Sequence, residues 1–362
     1  MTKTLRVGII GANARGGWAA ESHVPAVQGL DGLELVAVAT NKQETAEEAA
    51  HAFGVSRAYP NGLALITDPD IDVVTVATRV PDHRELVMAA IAAGKHVYSE
   101  WPLGPTSADA DAMSRAADGA GIHHAIGLQL RGSPSVKAAI DLLRSRTIGR
   151  LLSISGFSST AGFGPDVPSP FAYLEDPSNF ANLVTIQGAH TLDLVMALGG
   201  TPARLSALTS RQFPTIRLGD DGAEHQRETF DHLLVQGQFG GGTPFAIEVA
   251  GGRKGETPFF LDVIGEEGKL RLEGGAPRGL QSGRIALLRN GEQVRMTDGE
   301  QSALPEGALN VAGVYAELRD DIRHDTRIVR GFDHAAGLTR MIEAVLRSSS
   351  EGRSIVAQGW PA

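Results

Sequence analysis

Cysteine is absent from the 362-residue sequence. Disulfide bonds, thiol catalysis and metal sites with cysteine ligands are therefore excluded. The eleven histidines include no pair at the His-x-x-x-His spacing and no histidine–glutamate metal motif. We therefore expect no bound metal ion.

Positive charge is scarce, and long apolar runs are missing. Lysine and arginine number 33 against 42 aspartates and glutamates, which gives a net charge of −9. Nucleic acid binds to basic surfaces, and the sequence has no basic stripe with interleaved aromatics, so we expect no nucleic-acid partner. Neither a run of membrane length nor a signal-peptide pattern occurs. We expect no membrane partner and a cytoplasmic location.

The N-terminal third of the chain alternates strand patterns with helical patterns. Continuous apolar runs are typical of buried parallel strands. They cover residues 5–10, 33–39, 73–77, 96–99 and 123–128. Helical patterns occupy residues 19–30 and 45–53 and begin again near two typical cap residues, Asp82 and Thr106. Strands that alternate with helices form right-handed βαβ units, so residues 1–130 are predicted to be a Rossmann domain.

Beyond residue 130 the apolar pattern changes from continuous to alternating. Apolar and polar residues alternate at 151–157, 245–249 and 269–273, which is typical of half-buried, mostly antiparallel strands. We predict that residues 131–330 form an α+β domain with an open, mostly antiparallel sheet. The segment 331–362 begins with an amphipathic helix and is expected to pack back on the body of the protein.

A turn with glycines at both ends follows the first predicted strand, at positions 11 to 16. In the dinucleotide fingerprint, one glycine makes the turn, a second lets the phosphate approach and a third packs the helix. Gly11 and Gly16 stand at the first and third positions, and Asn13 stands at the second. The Asn13 amide can bond a phosphate oxygen. We predict that Gly11, Asn13, Arg15 and Gly16 hold a dinucleotide, with its pyrophosphate at the N-terminus of the following helix.

The end of the second predicted strand bears on the choice between NAD and NADP. An acidic residue there would bond the 2′-hydroxyl of the NAD ribose. The strand is followed instead by Thr40, Asn41 and Lys42. These side chains suit a 2′-phosphate, which favours NADP. Lys42 is equally compatible with an exposed surface position, so NAD stays open.

Several motifs beyond the glycine turn point to one family. Gly-Lys-His-Val at 94–97 leads into Glu100-x-Pro102, and Ile-Gly-Arg-Leu occupies 148–151. Together these motifs resemble the Gfo/Idh/MocA family of nicotinamide-dependent sugar oxidoreductases, and the resemblance spans the whole chain. Asn13 and Trp101 are similar to a subgroup that includes the transcriptional inhibitor of the yeast galactose pathway. That inhibitor keeps the fold and binds NAD(P), but works as a sensor.

Both polar motifs of the family are incomplete here. The family has Glu-Lys-Pro at the strand end, where the lysine transfers the proton, whereas this sequence has Glu100-Trp101-Pro102. The family also has Asp-x-x-x-His in a helix facing the nicotinamide; His190 is present, but Ile186 stands at the aspartate position. The resemblance thus implies a cofactor site at Glu100, Trp101 and Pro102, with His190 as the remaining acid–base group.

The resemblance implies NAD(P)-dependent oxidation or reduction of a sugar or polyol. Gln129, Arg131, Tyr173 and His190 are expected to bind the substrate, and a homodimer or homotetramer is expected to form through the second domain's sheet. The alternative is a non-catalytic NAD(P)-binding sensor or regulatory protein with the same fold. It stays open because the indole of Trp101 cannot transfer a proton near neutral pH.

Overall fold

The computed structural model describes residues 3–219, 222–254, 258–296 and 299–361. Contacts divide the chain into two compact units. The first unit comprises the described residues of Met1–Gly132 and Asp298–Ala336. The second comprises those of Ser133–Thr297 and Gly337–Ala362. Each unit therefore draws on two separate stretches of the chain.

The sheet of the first unit is parallel throughout. Its strands are β1 (Leu5–Ile10), β2 (Leu33–Ala39), β3 (Arg57–Tyr59), β4 (Val73–Val76), β5 (His96–Glu100) and β6 (His124–Gly127). Their order across the sheet is β3-β2-β1-β4-β5-β6, and every neighbouring pair is parallel. The direction of winding reverses between β1 and β4, and Rossmann folds bind ligands outside the carboxyl ends of the strands at such a point. The predicted Rossmann domain is confirmed.

The α-helices complete both units. They are α1 (Val24–Gln28), α2 (Gln43–Phe53), α3 (Gly62–Ile66), α4 (Val80–Ala92), α5 (Ser107–Ala120), α6 (Pro134–Arg144), α7 (Ala189–Gly199), α8 (Glu306–His324) and α9 (Phe332–Glu351). The first unit contains α1 to α5 and α8, and the second contains α6 and α7. Helix α9 begins in the first unit and continues in the second. None of the helices in the described ranges has both the length and the apolar character of a membrane span.

The helix predicted over 19–30 begins with a π-helical turn, Ala19–His23, and only then becomes α1. The Val24 N–H donates to the Ala19 carbonyl, five residues back. Pro25 has no N–H and cannot donate the regular α-helical hydrogen bond to the carbonyl four residues back. The wider π-helical turn accommodates this missing bond. Such turns inside helices are frequent at functional sites, and this one carries His23.

One of the two predicted helix caps is confirmed. Thr106 Oγ1 accepts a hydrogen bond of 3.1 Å from the Asp109 N–H and donates one of 2.7 Å to the Asp109 carboxylate, which caps α5. The prediction of Asp82 as the cap of α4 is wrong, because the cap position is three residues earlier, at Arg79, and the helix begins at Val80. Pro81 sits in the first turn of α4, where its missing N–H costs nothing, so the helix extends past it.

Helix α8 lies within the range 131–330 that the sequence placed in the second domain, but it groups with the first unit. It packs against α1 and the short 3₁₀ helix Gln129–Gly132. A Cβ on Gly313 would lie 2.2 Å from the Gly132 carbonyl oxygen, so only glycine permits this approach. The tail also divides: residues 337–361 group with the second unit.

The second unit is built on a nine-stranded sheet and a three-stranded sheet. Its strands are β7 (Leu151–Ser159), β8 (Asp166–Val167), β9 (Pro202–Ser210), β10 (Thr215–Leu218), β11 (Ala223–Gln226), β12 (His232–Phe239), β13 (Pro244–Ala250), β14 (Phe259–Gly265), β15 (Lys269–Gly274), β16 (Ile285–Arg289), β17 (Glu292–Gln293) and β18 (Ile355–Val356). The large sheet has the order β17-β16-β15-β14-β7-β13-β12-β9-β18, and the small sheet β11-β10-β8. In the large sheet only β7 and β13 are parallel neighbours, which confirms the mostly antiparallel α+β prediction.

The nine-stranded sheet has one face covered by helices and one open face. Helix α7 packs against β7, and α6 packs against β15 and β16. The inward side chains of β13, such as Phe245 and Ile247, are buried. The open face carries exposed apolar side chains: Leu208 and Leu234 are cross-strand partners and are 56% and 40% exposed. This pair of exposed leucines on β9 and β12, near the β18 end of the sheet, is an apolar surface of the kind that suits a protein partner.

Candidate functional site

The predicted dinucleotide turn begins at the carboxyl end of β1. Gly11 has φ +97°, and a Cβ added there would lie 2.4 Å from the Ala77 carbonyl oxygen. Its N–H donates to the Ala39 carbonyl at 2.9 Å. Glycine is therefore required by the backbone conformation and by the close approach of the chain after β4. The turn is bound to both neighbouring strands at the switch point of the sheet.

The rest of the turn is held by its own polar groups. Asn13 Oδ1 accepts from the Arg15 N–H at 2.9 Å, and the Asn13 carbonyl accepts from the Gly16 N–H at 3.2 Å. Gly16 has φ +113°, and a Cβ there would meet no atom within 4 Å. The Arg15 guanidinium is exposed and forms an ion pair of 3.2 Å with Glu48. Gly16 therefore leaves open space beside the turn, and Arg15 is engaged with a carboxylate.

The three candidates for a 2′-phosphate follow β2. Thr40 Oγ1 lies 2.6 Å from Thr45 Oγ1 and donates to the Lys42 carbonyl at 2.9 Å. Asn41 and Lys42 are exposed, and Lys42 is the residue before α2. Thr40 thus fixes the local backbone, while the amide of Asn41 and the ammonium group of Lys42 are at the surface.

The strand-end motif is built into the first unit. Glu100 is the last residue of β5, and the peptide bond between Trp101 and Pro102 is cis. Trp101 is only 5% exposed. The Pro102 carbonyl lies 2.8 Å from His83 Nδ1, and the His83 ring is buried, which lowers the pKa of its imidazole. His83 Nε2 also lies 3.1 Å from the Thr78 carbonyl, so the ring bridges two backbone carbonyls and fixes the chain that follows β5.

The Glu100 carboxylate lies in a polar cluster that the sequence did not predict. His23 Nε2 is 2.9 Å from Glu100 Oε1, and Gln129 Nε2 donates to both carboxylate oxygens at 2.8 and 2.9 Å. A Cβ on Gly127 would lie 2.6 Å from Glu100 Oε1, so this glycine makes room for the carboxylate. The structure thus brings two predicted site residues, Glu100 and Gln129, together with His23.

Arg131 lies with Gln129 in the 3₁₀ helix of the first unit and is partly buried. The ammonium group of Lys95, by contrast, donates to the Asp68 and Ile71 carbonyls at 2.7 and 2.8 Å. Lys95 precedes β5, at the edge of the sheet opposite to the carboxyl ends. It has a structural role and does not stand in for the lysine missing at position 101.

His190 and Tyr173 belong to the second unit. His190 is the second residue of α7, is 4% exposed, and follows a π-helical turn, Val184–Gly188. Asn182 Oδ1 accepts from the Val184 and Thr185 N–H groups at 3.0 and 3.3 Å, which caps this turn. The polar groups around the turn therefore fix the start of the helix that carries His190.

Tyr173 is partly buried in the 3₁₀ helix Ser169–Glu175, and its carbonyl accepts from Asn179 Nδ2 at 2.8 Å. A buried ion cluster anchors this segment. Arg227 donates to both Glu175 oxygens at 3.0 and 2.9 Å and to Asp231 at 2.8 Å. Because the Arg227 side chain is fully buried and fully paired, it ties the Tyr173 segment to the body of its unit.

Two buried polar atoms in the first unit fit a ligand at the turn. Trp18 Nε1 and Thr78 Oγ1 have no hydrogen-bond partner in the structure. Trp18 follows the glycines of the turn, and the Thr78 methyl group lies 3.4 Å from where a Gly11 Cβ would stand. An unsatisfied buried polar atom costs about 1–3 kcal/mol. A dinucleotide offers hydroxyl and phosphate partners, so the residues present fit that cofactor. Neither residue was predicted, although Trp18 closely follows the predicted turn and Thr78 directly follows the predicted strand 73–77.

Among the residues that the structure describes, no group of three or more His, Asp or Glu side chains is placed to hold a metal ion.

Comparison with known proteins agrees with this geometry. The model of the Gfo/Idh/MocA oxidoreductase family, NAD-binding Rossmann fold, matches residues 5–127, and that of the Gal80p C-terminal domain matches residues 134–274. The dehydrogenase aclE of Aspergillus oryzae is 31% identical over 98% of this chain and 98% of its own. The D-apiose dehydrogenase of Paraburkholderia graminis is 34% identical over 94% of this chain and 87% of its own.

A regulatory protein is also similar in structure to this chain. The crystal structure of a super-repressor mutant of Gal80p from Saccharomyces cerevisiae aligns with a TM-score of 0.85 and 26% identity, over 97% of both chains. Relatives of this chain therefore include both dehydrogenases and a transcriptional regulator. The dinucleotide turn, the six-stranded sheet and the matches over nearly the whole chain lead to one conclusion: this chain belongs to the Gfo/Idh/MocA oxidoreductase family and has its NAD-binding Rossmann fold.

Proposed function

We propose that this protein is an NAD(P)-dependent oxidoreductase that acts on a sugar or polyol. The observation that carries the proposal is the turn at Gly11, where both φ and the close Ala77 carbonyl demand glycine. A backbone this constrained at a strand end is typical of a binding site that has kept its shape. The similarity to D-apiose dehydrogenase supports a sugar as the substrate class.

The residues of the first unit would hold the cofactor. Gly11, Asn13 and Gly16 form the turn for the pyrophosphate, and Trp18 and Thr78 supply additional hydrogen-bonding groups. When bound, the nicotinamide supplies the hydride acceptor or donor. The surface position of Asn41 and Lys42, with no carboxylate after β2, favours NADP over NAD.

The acid–base role falls to His190. Oxidation of a substrate hydroxyl requires a group that takes its proton, and a neutral imidazole can accept one through a ring nitrogen. Trp101 contributes a buried aromatic ring with a single N–H to the strand-end motif. Gln129, Arg131 and Tyr173 bind substrate hydroxyls, for which hydrogen-bonding side chains are the ordinary recognition groups.

The second candidate function is a non-catalytic, dinucleotide-dependent regulator. Trp101 favours it, because the proton-transferring lysine of the family is replaced by a buried indole. General acid–base catalysis contributes about 10²–10⁴-fold to a rate, so its loss can turn an enzyme into a binder. The similarity to Gal80p supports the same reading.

The cofactor is tested first by calorimetry with NAD, NADH, NADP and NADPH. We expect binding of at least one pair at micromolar concentrations, with NADP the tighter. Lys42→Met should weaken NADP about tenfold and leave NAD unchanged, because only NADP carries the 2′-phosphate. The function itself is tested by NAD(P)H absorbance across a panel of sugars and polyols. Millimolar or weaker binding of all four dinucleotides would refute the proposal, and tight binding without any turnover would favour the regulator.

The open face of the nine-stranded sheet is the contact between copies of this chain. We expect a dimer or tetramer by light scattering at micromolar concentration. Leu208→Asp should shift the protein to monomers, because it places a charge in the exposed apolar pair that Leu208 forms with Leu234. Ile328→Asp is the matched control: Ile328 is also an exposed apolar residue, at 71%, but lies in the first unit. A monomeric wild-type protein contradicts this expectation.

A further inference from the structure

A continuous chain of hydrogen bonds lies behind the Glu100 carboxylate, within the first unit. It runs from Thr75 Oγ1 to the Tyr315 hydroxyl (2.7 Å), from there to His23 Nδ1 (2.9 Å), and from His23 Nε2 to Glu100 Oε1 (2.9 Å). Thr75, Tyr315 and His23 are at most 1% exposed, and the Glu100 side chain is 12% exposed. The chain therefore connects a buried histidine to a carboxylate at the ligand edge of the sheet.

The same four groups satisfy two protonation states of His23. When His23 is neutral, its Nε2–H donates to Glu100, and Nδ1 accepts from Tyr315, whose oxygen accepts from Thr75. When His23 is an imidazolium, both ring N–H groups donate, and the Tyr315 hydroxyl reverses to donate to Thr75. Because hydroxyl groups rotate freely between donor and acceptor roles, neither state leaves a buried group unpaired.

The titratable groups that face this pair do not compete for the proton. Tyr98 of β5 has its ring 5.0 Å from that of His23, and Tyr315 of α8 bonds to it directly. Burial raises the pKa of both tyrosines, so their hydroxyl protons are present throughout the neutral range. Burial lowers the pKa of His83 of α4, and both nitrogens of that ring face backbone carbonyls, those of Pro102 and Thr78, rather than His23 or Glu100. His23 and Glu100 are left as the charged partners.

The charge of this pair depends on His23. With a neutral ring the pair carries one negative charge, and with an imidazolium it carries none. An oxidised nicotinamide ring is positive, and a reduced one is neutral. A negative Glu100 at the ligand edge favours the oxidised ring, and a neutralised pair removes that preference.

We propose that His23 is a positioning residue that holds the Glu100 carboxylate and binds one extra proton when the dinucleotide bound to the protein is in its reduced form. The inference rests on the dinucleotide site of the proposed function. It concerns binding alone: the proton comes from solvent when the reduced form binds and returns to solvent when the oxidised form binds. His23 need not touch the substrate.

The test is calorimetry of the full-length protein with NAD and NADH, in pairs of buffers that differ in ionisation enthalpy, from about pH 5.5 to about 8.5. This range spans the ordinary histidine pKa of about 6.5. NADH should bind with up to one more proton than NAD. Because the reduced complex holds more protons, raising the pH should weaken NADH relative to NAD, by up to about tenfold per pH unit. If only NADP binds, the pair NADP and NADPH serves equally, since their 2′-phosphate is common to both.

Two variants make the test specific. His23→Gln keeps an N–H donor toward Glu100 but does not titrate, so both dinucleotides should bind while the difference in proton count vanishes. His23→Asn carries a shorter amide that also does not titrate and should likewise abolish the pH dependence, so either folded variant decides between the two outcomes.

Equal proton counts for the two forms in the wild type overturn the inference, as does a difference that survives unchanged in His23→Gln. Failure of all dinucleotides to bind overturns the proposed function as well, so the two failures are distinguishable.

Discussion

His190→Ala is expected to lower kcat by about 10²–10⁴-fold on whichever sugar the wild type oxidises, the range that general acid–base catalysis contributes. Dinucleotide affinity should stay within about twofold, because the cofactor residues proposed above belong to the first unit and His190 to the second. The measurement pairs steady-state kinetics with calorimetry of the cofactor. His225→Ala is the matched control, since His225 is an exposed histidine of β11 in the same unit.

Trp101→Lys also tests the proposal that His190 is the acid–base group. It restores the side chain that the family uses for proton transfer, and it should preserve cofactor binding. If the remaining pocket is built for chemistry, activity rises and its dependence on His190 falls. A wild-type rate that survives His190→Ala intact would mean that a residue assigned here to structure carries the proton.

The elements of the first unit were accessible from sequence because their signals are local. β1 and β2 coincide with the predicted runs 5–10 and 33–39, since a buried parallel strand is a continuous apolar run. Strand β3 was not predicted: its three residues are half-buried and give no period. Helix α8 was not predicted either, and its residues fall within the range 131–330 that was placed in the second domain, whereas they group with the first unit. The sequence gives no local signal for which of two units a segment joins.

The residues of the candidate site could likewise be predicted only where their sequence signal is local. Gly11 and Glu100 were predicted because the glycine turn and the strand-end motif are each short patterns of neighbouring residues. The contact of His23 with Glu100 joins residues 77 positions apart, and that of His23 with Tyr315 joins residues 292 positions apart. No spacing rule covers such distances, so the hydrogen-bond chain becomes visible only when the fold brings the π-helical turn Ala19–His23, β5 and α8 together.

The strictest test of the dinucleotide turn is Gly11→Ala. We expect at least a hundredfold loss of dinucleotide affinity and a fall of about 2–4 kcal/mol in the free energy of unfolding. Two effects add. First, a residue with a side chain is strained at φ +97°. Second, the new Cβ would lie 2.4 Å from the Ala77 carbonyl oxygen, so that β1 and the segment after β4 must separate. Calorimetry and denaturant unfolding measure the two losses.

Two alanine variants separate these effects. Gly16→Ala has the strain of φ +113° but no atom within 4 Å of its Cβ. The free energy of unfolding should therefore fall by less, about 1–2 kcal/mol. Gly119→Ala lies in the exposed last turn of α5 with open space around it, and should leave binding unchanged and raise stability by up to about 1 kcal/mol. If Gly11→Ala behaves like Gly119→Ala, the turn tolerates a side chain, the close approach at β4 is not required, and the site proposed for the dinucleotide loses its main physical support.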